Sequence, residues 1–190
     1  MVILLSGCGG PTPSESEAVK PNSVVVTHEV PPAEVQTATE LLQHNKYDEA
    51  IAKADEILKT YPKSDEAYAI KGMAQGLNGE VAAGLWNEQK AYELNPDNVS
   101  VYYNLAMLYK LQGDLNNSKE WFERVLQKDP RNVWSVYGIA TIYADQGDDR
   151  MALVKLREAI ALDEQVKSVA RTQDHFVRFH GNPQFEAIVK

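Results

Sequence analysis

The stretch VSVYYNLAMLYKLQGDLNNSKEWFERVLQKDPRN, residues 99–132, carries two apolar stripes at helical spacing. The first stripe consists of Tyr102, Leu105, Ala106 and Tyr109, and the second of Leu115, Ser118, Phe122 and Val125. Between them stands Gln112-Gly113-Asp114, where glycine is suited to stopping a helix. The stretch therefore predicts two helices that are joined by a short turn.

The same pattern recurs along the chain with a fixed period, which equals the length of the quoted stretch. Four columns keep this period: a proline after the second helix, a turn residue, and one small residue in each helix. Their members are Pro62, Pro96 and Pro130; Asn45, Gly79, Gly113 and Gly147; Ala38, Gly72, Ala106 and Ala140; and Ala50, Gly84, Ser118 and Ala152. The units fall at 31–64, 65–98, 99–132 and 133–166. A generic helical bundle does not predict such a period.

Each column has a physical reason. Small residues such as Ala106 allow the two helices of a unit to approach closely. The proline ends each second helix, because proline cannot continue a helix and disfavours helix in the residue before it. Asp65 and Ser100 stand near the starts of the following helices and are predicted to act as N-terminal caps.

These units resemble tetratricopeptide repeats, which combine small residues in both helices with aromatic or bulky positions and a late proline. The third unit fits this pattern best, with Tyr102, Ala106, Tyr109, Ser118, Phe122, Val125 and Pro130. In the fourth unit Glu164 replaces the proline, and the first unit lacks the early aromatic residue. The resemblance covers 31–166 and implies an all-α, right-handed α-solenoid of four helix pairs.

Residues 167–190 follow the fourth unit and are interpreted as out of phase with a fifth. Three of the four phenylalanines lie there, at Phe176, Phe179 and Phe185. Because a solenoid must cover the apolar face of its last unit, this tail is predicted to form C-terminal capping helices. The alternative is a docking segment for a partner.

The N-terminus differs in composition from the repeats. Residues 1–8 end in Leu5-Ser6-Gly7-Cys8, which resembles the lipobox of bacterial lipoproteins and predicts lipidation of Cys8, the only cysteine. Residues 9–30 are rich in Gly, Pro and Ser and predict a linker. The apolar run before Cys8 is too short for a secretory signal, so we expect the true start to lie upstream. The alternative is a cytosolic protein with an accidental Leu-Ser-Gly-Cys.

Composition excludes several classes of function. The net charge of −8 argues against a general nucleic-acid binder. One cysteine and four scattered histidines do not make a metal site, and neither a glycine-rich phosphate loop nor a nucleophile motif is present. We therefore expect no enzyme activity, no cofactor and no small-molecule substrate.

The candidate binding surface is the second face of each first helix, at its second, fifth, ninth and twelfth residues. In tetratricopeptide arrays this face lines the concave groove. The predicted groove residues are Met73, Tyr103, Met107, Lys110, Trp134 and Tyr137. Of these, Tyr103, Met107, Trp134 and Tyr137 would form one aromatic and methionine patch, although each could instead pack against the neighbouring unit. Relatives that clamp a C-terminal carboxylate need several basic residues here, and only Lys110 is basic. The expected partner is a protein or peptide with an apolar or aromatic segment.

The resemblance thus predicts a protein–protein interaction scaffold or assembly factor. With a lipid on Cys8 it would be anchored to a bacterial membrane, facing the periplasm or the cell exterior, like lipoproteins of this family that assist pilus or outer-membrane assembly. Two alternatives stay open: a cytosolic adaptor or co-chaperone without a lipid anchor, and an accessory subunit that binds peptidoglycan or its synthases.

Overall fold

The computed structural model describes residues 31–190, and this part of the chain forms helices joined by short turns. Cys8 and the predicted linker lie outside the described residues. The helices are α1 (Pro32–Gln43), α2 (Tyr47–Thr60), α3 (Asp65–Leu77), α4 (Val81–Leu94), α5 (Val99–Gln112), α6 (Leu115–Lys128), α7 (Val133–Gln146), α8 (Asp149–Leu162), α9 (Val166–Thr172), α10 (Asp174–Val177) and α11 (Pro183–Val189). None of these helices in 31–190 is long and apolar enough to cross a membrane.

The helices stack in the order of the chain. Within each unit the two helices pack against each other, and each second helix packs against the first helix of the next unit. The second helices α2, α4 and α6 end just before Pro62, Pro96 and Pro130, with one residue between. The helix α8 ends at the matching place although Glu164 stands where the proline would be. The predicted all-α solenoid of helix pairs is therefore confirmed.

The small residues bring paired helices close together. A Cβ added to Gly72 would lie 2.8 Å from the backbone oxygen of Gly84, and one added to Gly84 would lie 2.6 Å from the oxygen of Gly72. In the next unit the Ser118 hydroxyl donates a hydrogen bond of 2.7 Å to the backbone oxygen of Ala106. Larger side chains in these two columns would force the helices apart.

The helix caps differ from the prediction by one or two positions. Ser64 caps α3 by accepting a 3.0 Å hydrogen bond from the backbone N–H of Ala67. Asn98 caps α5 in the same way, accepting from the N–H of Ser100 at 3.1 Å. Asp65 instead accepts from the side-chain amides of Asn95 and Asn98, both at 3.0 Å. Its carboxylate therefore ties the second unit to the start of the third rather than capping a helix.

The turn column shows that the tail is in phase with the repeats, which corrects the sequence-based interpretation. Asn45, Gly79, Gly113 and Gly147 all have positive φ, and Gly181, one period after Gly147, has a φ of 82°. Asn182 then caps α11 as Asp148 caps α8. Helices α9 and α10 occupy the place of a fifth first helix, interrupted at Gln173. The period was hidden because Asp174 and Glu186 fill the two columns that otherwise hold small residues.

The tail also covers the apolar face of the fourth unit. Its buried residues Phe176, Phe179, Phe185 and Val189 are at most 2% exposed and form one cluster with the core of α7 and α8. A second core cluster is centred on α5 and α6, and a third, smaller cluster joins α1, α2 and α3. The tail therefore covers the fourth unit, as predicted, and also continues the repeat as a fifth unit.

Candidate functional site: a cavity between two first helices

Two of the predicted groove residues meet in one cavity. The cavity has a volume of about 420 Å³ and is lined by Tyr103 and Trp134 together with Val99, Ser100, Asn104, Val125 and Asn132. Because most of these residues come from α5 and the start of α7, we call it the α5–α7 cavity. None of the described residues that line it is Lys, Arg or His.

The aromatic walls of this cavity are held from behind by other aromatic rings. Tyr103 is half-buried and meets Phe122 edge-on, with ring centroids 5.6 Å apart. Trp134 is 43% exposed and stands perpendicular to Tyr137, with centroids 6.0 Å apart. Rings fixed in this way lose little conformational freedom when a ligand binds against them. Burial raises the pKa of the Tyr103 hydroxyl, which keeps it a neutral hydrogen-bonding group.

Tyr137 does not belong to an exposed patch. Only 8% of it is accessible, and its ring lies 5.9 Å from that of Phe176 in the tail. Its hydroxyl is buried without a hydrogen-bond partner among residues 31–190, and this burial raises its pKa. The predicted patch therefore loses one member, because the fifth unit covers it. Met73 and Met107 are half-buried, and Met107 packs against the second core cluster.

Lys110 is engaged elsewhere. Its Nζ donates to the Thr141 hydroxyl and lies 3.1 Å from Nε2 of His175, whose Nδ1 lies 2.6 Å from a carboxylate oxygen of Asp145. We call Lys110, Thr141, Asp145 and His175 the polar clasp. Burial lowers the pKa of Lys110 to about 8, an effect that the charge of Asp145 opposes. The one basic residue of the predicted groove is thus part of an internal network and does not line the α5–α7 cavity.

Sequence reasoning missed a buried acid behind the cavity. Glu88 of α4 is fully buried, and its Oε1 accepts a 2.9 Å hydrogen bond from Nδ2 of Asn104, a lining residue. Its Oε2 has no hydrogen-bond partner within 31–190. Desolvation raises the pKa of Glu88 well above its usual value, and the hydrogen bond from Asn104 only partly offsets this. The sequence did contain a signal for this buried acid. Glu88 occupies the repeat position that is filled by Phe122 and Leu156 one and two periods later, and these apolar residues mark it as a core position.

The site has the chemistry of a binding surface. It offers aromatic faces, hydroxyl groups and amides, which suit a side chain and a polypeptide backbone. Within the described residues, no group of three or more His, Cys, Asp or Glu side chains could hold a metal ion.

Comparison with known proteins agrees with the repeat pattern. Family models described as tetratricopeptide repeat match residues 99–132 and residues 35–88. No curated protein sequence matches the chain significantly.

Solved structures of tetratricopeptide proteins resemble the chain at low identity. TTC0263, a thermophilic tetratricopeptide protein of Thermus thermophilus, superposes with a TM-score of 0.69 and 19% identity, over 82% of this chain and 86% of its own. The protein YrrB, described as having an unusual peptide-binding site, gives 0.60 and 13%, over 85% and 83%. The first such domain of Spaghetti (RPAP3), solved with the HSP90 peptide SRMEEVD, gives 0.56 and 19%, over 60% and 91%.

The stacked helix pairs and the periodic turns define an α-solenoid repeat protein. The family matches make the class more specific: residues 35–88 and 99–132 match tetratricopeptide repeat models, so the chain contains tetratricopeptide repeats, as the sequence predicted. Proteins of this family are generally non-enzymatic, and the fold supports a scaffold for protein–protein interaction.

Proposed function

We propose that the chain is a scaffold that binds an apolar or aromatic segment of a partner protein in the α5–α7 cavity. The observation that carries this proposal is the pair formed by Tyr103 and Trp134, two aromatic residues that line one cavity, of which Trp134 is 43% exposed. Large exposed aromatic residues beside a preformed cavity are typical of interaction hot spots.

The proposed partner segment is uncharged where it enters the cavity. Among residues 31–190 no cationic side chain lines the cavity, and Lys110 is engaged in the polar clasp. The HSP90 peptide SRMEEVD bound to the Spaghetti domain is rich in acidic residues, and this cavity offers nothing to neutralise such a peptide. The peptide-binding neighbours support a peptide as the class of ligand.

The test is direct binding with a matched pair of tryptophan variants. Short synthetic peptides that contain aromatic or aliphatic residues would be screened against the protein by fluorescence anisotropy. Trp134→Ala should weaken the selected peptides at least about tenfold, because truncating an aromatic hot spot costs about 2 kcal/mol. The control is Trp86→Ala, since Trp86 is 58% exposed on α4 and does not line the cavity. A loss with Trp86→Ala but not with Trp134→Ala would refute this location.

We also propose that the scaffold is anchored to a bacterial membrane through a lipid on Cys8. The support is the quartet Leu5-Ser6-Gly7-Cys8 followed by the Gly-, Pro- and Ser-rich residues 9–30. A single acyl chain binds membranes only marginally, so stable anchoring requires the several chains of a lipoprotein. Fused behind a bacterial lipoprotein signal peptide, the protein should fractionate with membranes, and Cys8→Ser should not. Equal fractionation of both would favour the cytosolic adaptor instead.

A further inference from the structure

An uncommon substitution lies directly behind the α5–α7 cavity. The column that holds Phe122 in the third unit and Leu156 in the fourth holds Glu88 in the second, and all three side chains are fully buried. The small residue opposite makes room for the acid, since a Cβ on Gly72 would lie 2.9 Å from Cγ of Glu88. A buried carboxyl group costs stability where an apolar residue would not.

The group that Glu88 touches reaches the cavity. Nδ2 of Asn104 donates to Oε1 of Glu88 at 2.9 Å, and Asn104 lines the α5–α7 cavity beside Tyr103. The oxygen and nitrogen of an amide point in different directions, so Oδ1 of Asn104 is turned away from Glu88. Within residues 31–190 this Oδ1 makes no hydrogen bond. The acid therefore selects which end of the amide is left for a ligand.

The side-chain oxygen of Asn104 favours a main-chain N–H of a peptide over a terminal carboxylate. It accepts a hydrogen bond from a main-chain N–H, whereas a carboxylate offers only acceptor atoms. No cation among the lining residues would compensate a carboxylate, and the carboxyl group of Glu88 behind Asn104 adds no attraction for one. A terminal carboxylate would lose its hydration in the cavity and gain no ionic partner.

We propose that Glu88 is a positioning residue that fixes the side-chain amide of Asn104, so that the α5–α7 cavity accepts a main-chain N–H of an uncharged internal peptide segment and discriminates against a free C-terminal carboxylate. This inference rests on the proposed peptide-binding function of the same cavity. The raised pKa of Glu88 agrees with it, because a neutral acid still accepts through Oε1.

The experiment compares pairs of synthetic peptides that have the same sequence, carry their aromatic residue at the C-terminus so that this end lies in the cavity, and finish in either a C-terminal amide or a free carboxylate. Peptides whose binding depends on Trp134 would be used as probes. The amide form should bind the native protein more tightly than the acid form. Glu88→Met should reduce that preference by about threefold to tenfold, the value of one hydrogen bond. Glu88→Gln keeps an oxygen that can accept from Asn104, so it should preserve the preference.

Two further readouts separate positioning from general stability. The side-chain amide resonances of Asn104 in NMR spectra should shift in Glu88→Met and stay close to their native positions in Glu88→Gln. Asn104→Leu, which removes the acceptor but leaves Glu88, should lose the preference as well. These variants keep the test meaningful if Glu88→Met folds poorly.

The possible failures are distinct. Peptide binding that does not depend on Trp134 would overturn the proposed function itself. Trp134-dependent binding with equal affinity for the two peptide forms would overturn the inference about Glu88 and leave the function intact. An amide preference that survives both Glu88→Met and Asn104→Leu would likewise overturn it.

Discussion

Nζ of Lys110 lies 3.1 Å from Nε2 of His175, a residue 65 positions further along the chain. Because an ammonium group only donates, Nε2 is the acceptor and the ring proton is on Nδ1, which donates to Asp145 at 2.6 Å. The polar clasp therefore joins the third, fourth and fifth units through one continuous set of hydrogen bonds. Neighbouring units in a solenoid contact each other routinely, but this contact spans two unit boundaries.

The first prediction follows from the pKa of Lys110, which burial lowers from 10.5 to about 8. Between these two pH values the unfolded chain binds more protons at this lysine than the folded chain, so stability rises with pH. Relative to Lys110→Met, the native protein should gain about 1–2 kcal/mol by pH 10, which allows for partial solvent exposure. Urea unfolding of both proteins at several pH values measures this difference. A constant difference from pH 8 to pH 10 would contradict the prediction.

The second prediction concerns Glu88, whose folded-state pKa is raised well above 4.5 by burial. Stability from this group is fully present below pH 4.5 and is lost as pH rises towards the raised value, because the unfolded chain ionises first. Glu88→Gln should therefore be more stable than the native protein at neutral pH, because the amide has no ionised form to be desolvated. The advantage should shrink in acid. Glu40→Gln, at an exposed position on α1, is the control for the effect of the amide substitution itself.

The third prediction compares the contributions to stability of the buried Tyr137 and its exposed neighbour Trp134. Tyr137→Ala removes a ring that is 8% exposed and packs on Phe176, so it should cost about 3 kcal/mol of unfolding free energy. Trp134→Ala removes the 43% exposed neighbour and should cost less than about 1 kcal/mol. Chemical denaturation of the two variants gives the comparison. Equal losses would mean that Trp134 is also a core residue and unsuitable as a binding probe.

The fourth prediction concerns the fifth unit. Phe185 is 1% exposed and stacks on Phe176 with ring centroids 5.9 Å apart, so Phe185→Ala should cost about 3 kcal/mol. Deleting 174–190 should cost more and promote aggregation, since the core of α7 and α8 would be uncovered. Val177→Ala is the control, because Val177 is 53% exposed on the same segment. A truncated protein that melts at the native temperature would show that the segment is a free arm.

The fold could be predicted from the sequence wherever the same kinds of side chain recur at the repeat period. The turn residues and prolines indicated the ends of the paired helices, and the small residues at Gly72 and Gly84 indicated their close contact. The fifth unit was missed because its columns hold Asp174 and Glu186 while only its turn, at Gly181, keeps the period. Gly181 nevertheless stands in the sequence one period after Gly147, so the turn column followed on its own would have indicated the fifth unit.

The candidate site was less predictable, because the exposure of each groove residue depends on contacts with the next unit along the chain. Helical spacing placed Tyr137 and Trp134 on the same face, and the difference between them arises from Phe176, which belongs to the next unit along the chain. The same spacing assigned Lys110 to the groove, but its partner His175 could not be inferred from it. Long-range contacts of this kind are not encoded in a single repeat.

The small core at the first end of the array has a mechanical consequence. The cluster that joins α1, α2 and α3 consists of Ala38, Ala54, Ile57, Ala67 and Ile70, so three of its five buried side chains are alanines. This cluster has the fewest buried residues of the three core clusters, and it lies at the end of the array to which the proposed anchor on Cys8 would connect. Under load α1 and α2 would yield first and lengthen the connection to the anchor. The α5–α7 cavity, held by aromatic rings and by the polar clasp, would keep its shape while that extension absorbed the force.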